Sequence, residues 1–106
     1  MARNISLIIP TYNDKSLFLD FFARLQRGLI DTRFFADFPD TNFQIVIIDD
    51  GSAFPLTSLE LMRSVIPAER ISTYLVRHAI NLGQGAALCT GIKYALEKLN
   101  ADYGGK

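Results

Sequence analysis

The stretch Phe43-Gln44-Ile45-Val46-Ile47-Ile48-Asp49-Asp50-Gly51-Ser52 decides how the chain is read. Ile45 to Ile48 is a short, unbroken aliphatic run. Such a run, closed by acidic and glycine residues, fits a strand buried on both faces in a parallel sheet. Asp49-Asp50-Gly51-Ser52 then marks the carboxyl end of that strand and a turn. A hairpin is disfavoured, because Ala53-Phe54-Pro55 begins no alternating strand.

Two similar runs flank it. Ile5 to Ile9 (I-S-L-I-I) is aliphatic and is closed by Pro10; Ile71 to Val76 (I-S-T-Y-L-V) is the third. Strands are expected at 5–9, 45–48 and 72–76, the first paired to the second and the second to the third. Between them the period changes. Phe18, Phe21, Phe22, Leu25 and Leu29 recur at helical spacing, which predicts a helix over 16–28. Asp14 or Ser16 would cap it and Gly28 lies near its end. Thr57 and Glu60 have capping-box spacing for a helix over 57–65, followed by Pro67. Leu88, Gly91, Ile92, Ala95, Leu96 and Leu99 form the stripe of a helix over 85–99. Asp31 to Asn42 reads as mostly loop, with Phe34, Phe35 and Phe38 available to the core. The order β-α-β-α-β-α, with right-handed crossovers, predicts a Rossmann-like α/β unit: a parallel sheet between two helical layers.

The 106 residues support one core, not two; a chain of this size buries roughly 65% of its surface. Residues 1–106 are therefore read as a single domain. Hydrophobic residues make up 49% and charged residues 21%, which excludes a disordered or fibrous chain. Eleven basic residues balance eleven acidic ones, so the broad basic surface of a nucleic-acid binder is absent. Cys89 is the single cysteine, which excludes an internal disulfide and suits a reducing compartment. No apolar run approaches the ~18 residues of a membrane span. The expected compartment is the cytoplasm, or a membrane surface if segments outside this chain supply the attachment.

In open parallel sheets, ligands bind beyond the carboxyl ends of the strands. Three polar loops fall there: Pro10-Thr11-Tyr12-Asn13-Asp14, Asp49-Asp50-Gly51-Ser52, and Arg77 to Gly85. Two adjacent carboxylates repel, so each needs a partner. A carboxylate accepts the ring N–H of uracil, thymine or guanine and rejects cytosine, which lacks it. One Asp can take a base while the other takes backbone donors; a simple polar turn is the plainer alternative. In the third loop, Asn81, Gly83 and Gly85 precede a helix whose first N–H groups can face a phosphate. Neither the dinucleotide fingerprint nor the Walker pattern is present. Tyr12 can flank a base or ribose, or plug the sheet end. Arg77 is a better phosphate candidate than His78, because it is always charged and bidentate; structural roles are the plainer reading of both. Tyr74 and Cys89 read as packing residues.

Ser6-Leu7-Ile8-Ile9-Pro10-Thr11-Tyr12-Asn13, then Ile45-Val46-Ile47-Ile48-Asp49-Asp50-Gly51-Ser52, then Asn81-x-Gly83-x-Gly85-x-Ala87 with Gly91-Ile92 and Ala95, together resemble the family 2 glycosyltransferases. The resemblance covers nearly the whole chain. It implies the N-terminal, nucleotide-binding half of a GT-A fold. The last segment is most similar to the branch of dolichyl-phosphate and other polyprenyl-phosphate sugar transferases.

The resemblance implies that Pro10, Thr11, Tyr12, Asn13 and Asp50 hold a nucleotide, with Asp50 on the base and Asp49 beside it. Asn81 and Gly83 match the loop around the nucleotide. The family often has Lys where Gln84 stands. It implies a nucleotide diphosphate sugar of the uridine or guanosine type, and Mg²⁺ or Mn²⁺ in the complete enzyme. In the family, a fourth strand and an Asp-x-Asp metal motif follow a segment like Ala101-Asp102-Tyr103. Here Gly104-Gly105-Lys106 stands instead. The expectation is a chain truncated before its metal ligands, catalytic base and acceptor site, and inactive alone. Ile5 to Ile9, the central strand of the larger sheet so implied, would then expose a flank, which predicts a homo-oligomer. A non-catalytic nucleotide-binding or assembly module is the alternative. A receiver-like signalling domain fits less well, because it needs further acidic and basic residues on later strands.

Overall fold

The computed structural model describes residues 3–31 and 34–99. β1 (Arg3–Thr11), β2 (Thr41–Asp50) and β3 (Ile71–His78) form one parallel sheet in the order β1-β2-β3. α1 (Lys15–Asp31) and α2 (Phe34–Asp37) join β1 to β2; α3 (Ser58–Ser64) joins β2 to β3. α4 (Gln84–Tyr94) follows β3 and runs into a π-helical turn, Ala95–Leu99. The expected α/β architecture and pairing are those observed. The centre of these three strands is β2, and β1 is an edge. That is the expected order, with the flank of Ile5 to Ile9 open on the side away from β2.

β2 shows why the fold takes this form. Successive side chains of a strand point to opposite faces. Ile45 and Ile47 join Phe18, Phe22, Leu56 and Leu61 in a core on one face. Val46 and Ile48 join Ala87, Ala95 and Leu99 on the other. All four aliphatic side chains of β2 are fully buried. Each contributes about 1.5–3 kcal/mol relative to exposure. β1 and β3 are only half-buried along most of their length, so burial on both faces holds for β2 alone.

Several boundaries differ from expectation. Pro10 does not stop β1; it pairs with Ile48, and Thr11 pairs with Asp49. An edge strand tolerates a residue without an N–H. Part of the expected loop Asp31 to Asn42 forms α2, where Phe35 meets Phe43 edge-on at 5.7 Å; Phe38 is exposed. The Asp14 carbonyl accepts from the Phe18 N–H at 2.8 Å, the opening hydrogen bond of α1. Thr57 and Glu60 form the expected capping box. On α4 and its π turn the buried positions are Ala87, Gly91, Ala95 and Leu99, while Leu88, Ile92 and Leu96 are exposed. Small residues let this helix approach closely: a Cβ on Gly91 would overlap Ile8 and Ile48. Cys89 is exposed rather than packed.

One buried polar residue ties the α1 face together. Gln26, 1% exposed, donates to the Ser64 carbonyl at 2.9 Å and accepts from the Ile66 N–H at 2.7 Å. Among the described residues, no buried side-chain nitrogen or oxygen lacks a partner.

Candidate functional site

The pleat of β2 sends Asp49 and Asp50 to opposite faces. Asp49, 1% exposed, accepts the Ser52 N–H at 3.2 Å and the Leu56 N–H at 2.8 Å. It shapes the turn that leads to α3. Asp50, 3% exposed, turns toward the loop after β3. Its Oδ1 accepts from His78 Nδ1 at 2.7 Å and the Leu82 N–H at 2.9 Å. Its Oδ2 accepts from Asn81 Nδ2 and the Gly83 N–H, both at 2.9 Å.

A carboxylate only accepts here, so His78 Nδ1 carries the proton. His78 Nε2 meets Thr90 Oγ1 of α4 at 2.8 Å. The Leu82 N–H first, then the His78 ring, hold the Asp50 carboxyl below the usual aspartate range; burial opposes them. Register explains the pairing, because Asp50 and His78 are neighbours across β2 and β3. Segment 79–83 thus becomes a strap drawn over the end of β2. It passes so close to Gly51, at φ +72°, that a Cβ there would overlap the Ile80 and Asn81 backbone.

The first loop is fastened to the second. The Asn13 N–H donates to Ser52 Oγ at 2.9 Å, and Asn13 Oδ1 accepts the Ala53 N–H at 2.8 Å. Asn13 holds a positive φ of 54° to do this. Thr11 donates its hydroxyl to Asp14 Oδ1 at 2.6 Å.

Between the first loop and the strap lies a cleft of about 330 Å³, lined by Pro10, Thr11, Tyr12, Asp14, Asp50, Asn81 and Gln84. Five of the eight residues singled out from sequence line it: Pro10, Thr11, Tyr12, Asp50 and Asn81. The other three do not. Asn13 braces the loops, Asp49 faces α3, and the Gly83 N–H is spent on Asp50. Asp14 and Gln84 line the cleft without having been singled out for it. Each lies at the start of a helix beside a polar loop, which was the available signal. Arg77 donates to the Leu56 carbonyl at 2.7 Å, and His78 binds Asp50, so neither lines the cleft. A wider depression of about 500 Å³, lined by residues such as Lys15, Leu17 and Phe54, holds none of the strap residues.

The carboxylates do not suit a divalent cation. The oxygens of Asp49 and Asp50 are taken by N–H donors. Among the described residues, no three His, Cys, Asp or Glu side chains gather to hold a metal ion. No helix among them is long and apolar enough to cross a membrane.

Compared with known proteins, residues 6–100 match the family model described as Glycosyl transferase family 2. The chain belongs to this family. No solved structure gives a significant match. Membership supports glycosyl transfer as the chemistry and a nucleotide sugar as the general class of donor. The parallel sheet, with its polar loops at one edge, is consistent with the N-terminal region of a GT-A glycosyltransferase.

Proposed function

We propose that this glycosyltransferase domain holds a uridine- or guanosine-type nucleotide diphosphate sugar in the cleft between the first loop and the strap. The observation that carries the reading is the position of Asp50. It is a buried carboxylate on the cleft wall, at the carboxyl end of the central strand. In this reading Asp50 takes the ring N–H of the base, and Tyr12, a half-exposed ring on the same wall, packs against the base or ribose. Pro10 and Thr11 form the floor, while Asn81 and Gly83 shape the loop around the nucleotide. The diphosphate lies toward Gln84, where α4 begins. Gly83 gives that helix no side-chain cap, so no capping side chain competes with an anion for its first N–H groups.

In the transfer, the bond from the sugar's anomeric carbon to the diphosphate breaks as a bond to the acceptor nucleophile forms. The diphosphate leaves with the electron pair. The residues described here bind and orient the donor. They do not suit Mg²⁺ or Mn²⁺, because the oxygens of Asp49 and Asp50 are already taken by N–H donors. The cytoplasmic setting belongs to the same proposal, supported by a single cysteine with no disulfide partner in the chain. So does self-association, which would cover the exposed Ile92 and Leu96 beside Ile8 at the β1 edge.

Calorimetric titration with UDP, GDP and CDP tests the reading. UDP or GDP should bind about 10- to 150-fold tighter than CDP, the range for one charge-assisted hydrogen bond. Tyr12→Ala should weaken the preferred nucleotide. Failure of all three nucleotides to bind would count against it.

A further inference from the structure

The carboxylate of Asp50 is full. Each oxygen accepts two donors, which uses the capacity of an ionised carboxylate. A ligand N–H can reach it only if one donor leaves. Three of the four are poorly placed to do so. The His78 side chain is 9% exposed, and its other ring nitrogen is held by Thr90. The Leu82 and Gly83 N–H groups belong to the backbone of the strap, which is packed on Gly51. Moving either means moving the strap as a body.

Asn81 is different. Its donor is a side-chain amide on an exposed residue, and among the four donors it alone lines the cleft. It touches the Asp50 carbonyl at 3.2 Å and Oδ2 at 2.9 Å. Rotation about its own side-chain bonds frees Oδ2 and leaves the backbone in place.

We propose that Asn81 is a placeholder for the base. Its amide occupies Asp50 Oδ2 in the free protein and swings aside when the ring N–H of a nucleotide base takes that oxygen. The proposal rests on the nucleotide reading of the cleft. Amide N–H and ring N–H both donate to the oxygen, so the carboxylate stays satisfied before and after the exchange, and the exposed amide is the weaker of the two. A buried carboxylate left with an empty acceptor would destabilise the free protein. The exchange is open only to a base that brings a donor. Cytosine brings a ring nitrogen with a lone pair, which cannot replace a donor on a carboxylate oxygen. Part of the wild-type affinity is therefore withheld by Asn81 and is released when the amide is removed.

The test is calorimetry on wild type and Asn81→Ala with UDP, GDP and CDP. The ring-N–H nucleotide that binds wild type should bind Asn81→Ala about 2- to 12-fold tighter, the range for one hydrogen bond no longer displaced. CDP should be unaffected. Equal or weaker binding of that nucleotide to the variant overturns the placeholder. A second readout needs no variant. The ¹⁵N side-chain amide signal of Asn81 in wild type should move, and its hydrogens should exchange faster, on saturation with that nucleotide. A bound nucleotide with an unmoved Asn81 amide overturns the placeholder alone. No binding of UDP or GDP to wild type overturns the nucleotide reading, and the placeholder with it.

Discussion

Asp49 and Asp50 are adjacent in sequence and do unlike work. Asp49 accepts from residues three and seven positions ahead, so it shapes its own turn. Asp50 accepts from donors 28 to 33 positions away, so it ties a distant loop to the end of β2. The pleat alone separates them: one faces α3, the other faces the strap and the cleft. An acidic pair at a strand end is therefore two sites rather than one. Only the carboxylate on the cleft side lies within reach of a ligand.

The comparison breaks most readily at Gly51, which lies between the two turns. Gly51→Ala places a side chain at a positive φ and into the strap backbone. A loss of about 2–5 kcal/mol, read by urea denaturation, is expected from the strained conformation and the overlap together. A loss under about 0.5 kcal/mol would show that the strap does not lie where described.

The two aspartates can then be set against each other. Asp49→Ala leaves the buried Leu56 N–H and the Ser52 N–H unpaired and should cost about 1–3 kcal/mol. Asp50→Ala removes the carboxylate that four donors share and should lower the melting temperature further than Asp49→Ala does. The reverse order would contradict the account of the strap.

Acid sharpens the contrast. The folded-state pKa of Asp50 is depressed, so its contribution to stability is fully present above the unfolded value of about 4. It is lost as pH falls through the lower folded value. Glu60 is depressed in the same direction, first by the Thr57 N–H and then by Lys15. Wild type should lose stability below about pH 4, and Asp50→Asn should flatten part of that limb. An unchanged slope would show that the carboxylate is not held as described. A smaller effect lies at the cap of α3. Thr57→Ala should cost about 1 kcal/mol, without disturbing any contact of Asp50.

The fold was legible in the sequence because β2 carries it. Ile45 to Ile48 is too short and too uniformly aliphatic for an amphipathic surface helix, and the runs beside it repeat the pattern. The stripe of α4 was legible only in part. Of the expected stripe, Gly91, Ala95 and Leu99 are buried and Leu88, Ile92 and Leu96 are not, while Ala87 joins the buried side, because close approach to Ile8 and Ile48 needs small side chains. The site was legible as three loops at one sheet edge. Its internal wiring was not. That Asp50 binds His78 depends on strand register, and that Asn13 binds Ser52 and Ala53 depends on a turn with positive φ. Nothing in its residue type marks Gln26 of α1 as buried. Two of its three hydrogen bonds appear only when Ser64 and Ile66 are brought across to it.

The most direct test watches both carboxylates at once. With ¹³C-labelled aspartate, the side-chain carboxyl signals of Asp49 and Asp50 are followed as UDP or GDP is added. The Asp50 signal should move with saturation, and the Asp49 signal should stay where it is. Movement of Asp49 alone, or a bound nucleotide that leaves Asp50 unmoved, would contradict the division of labour between them.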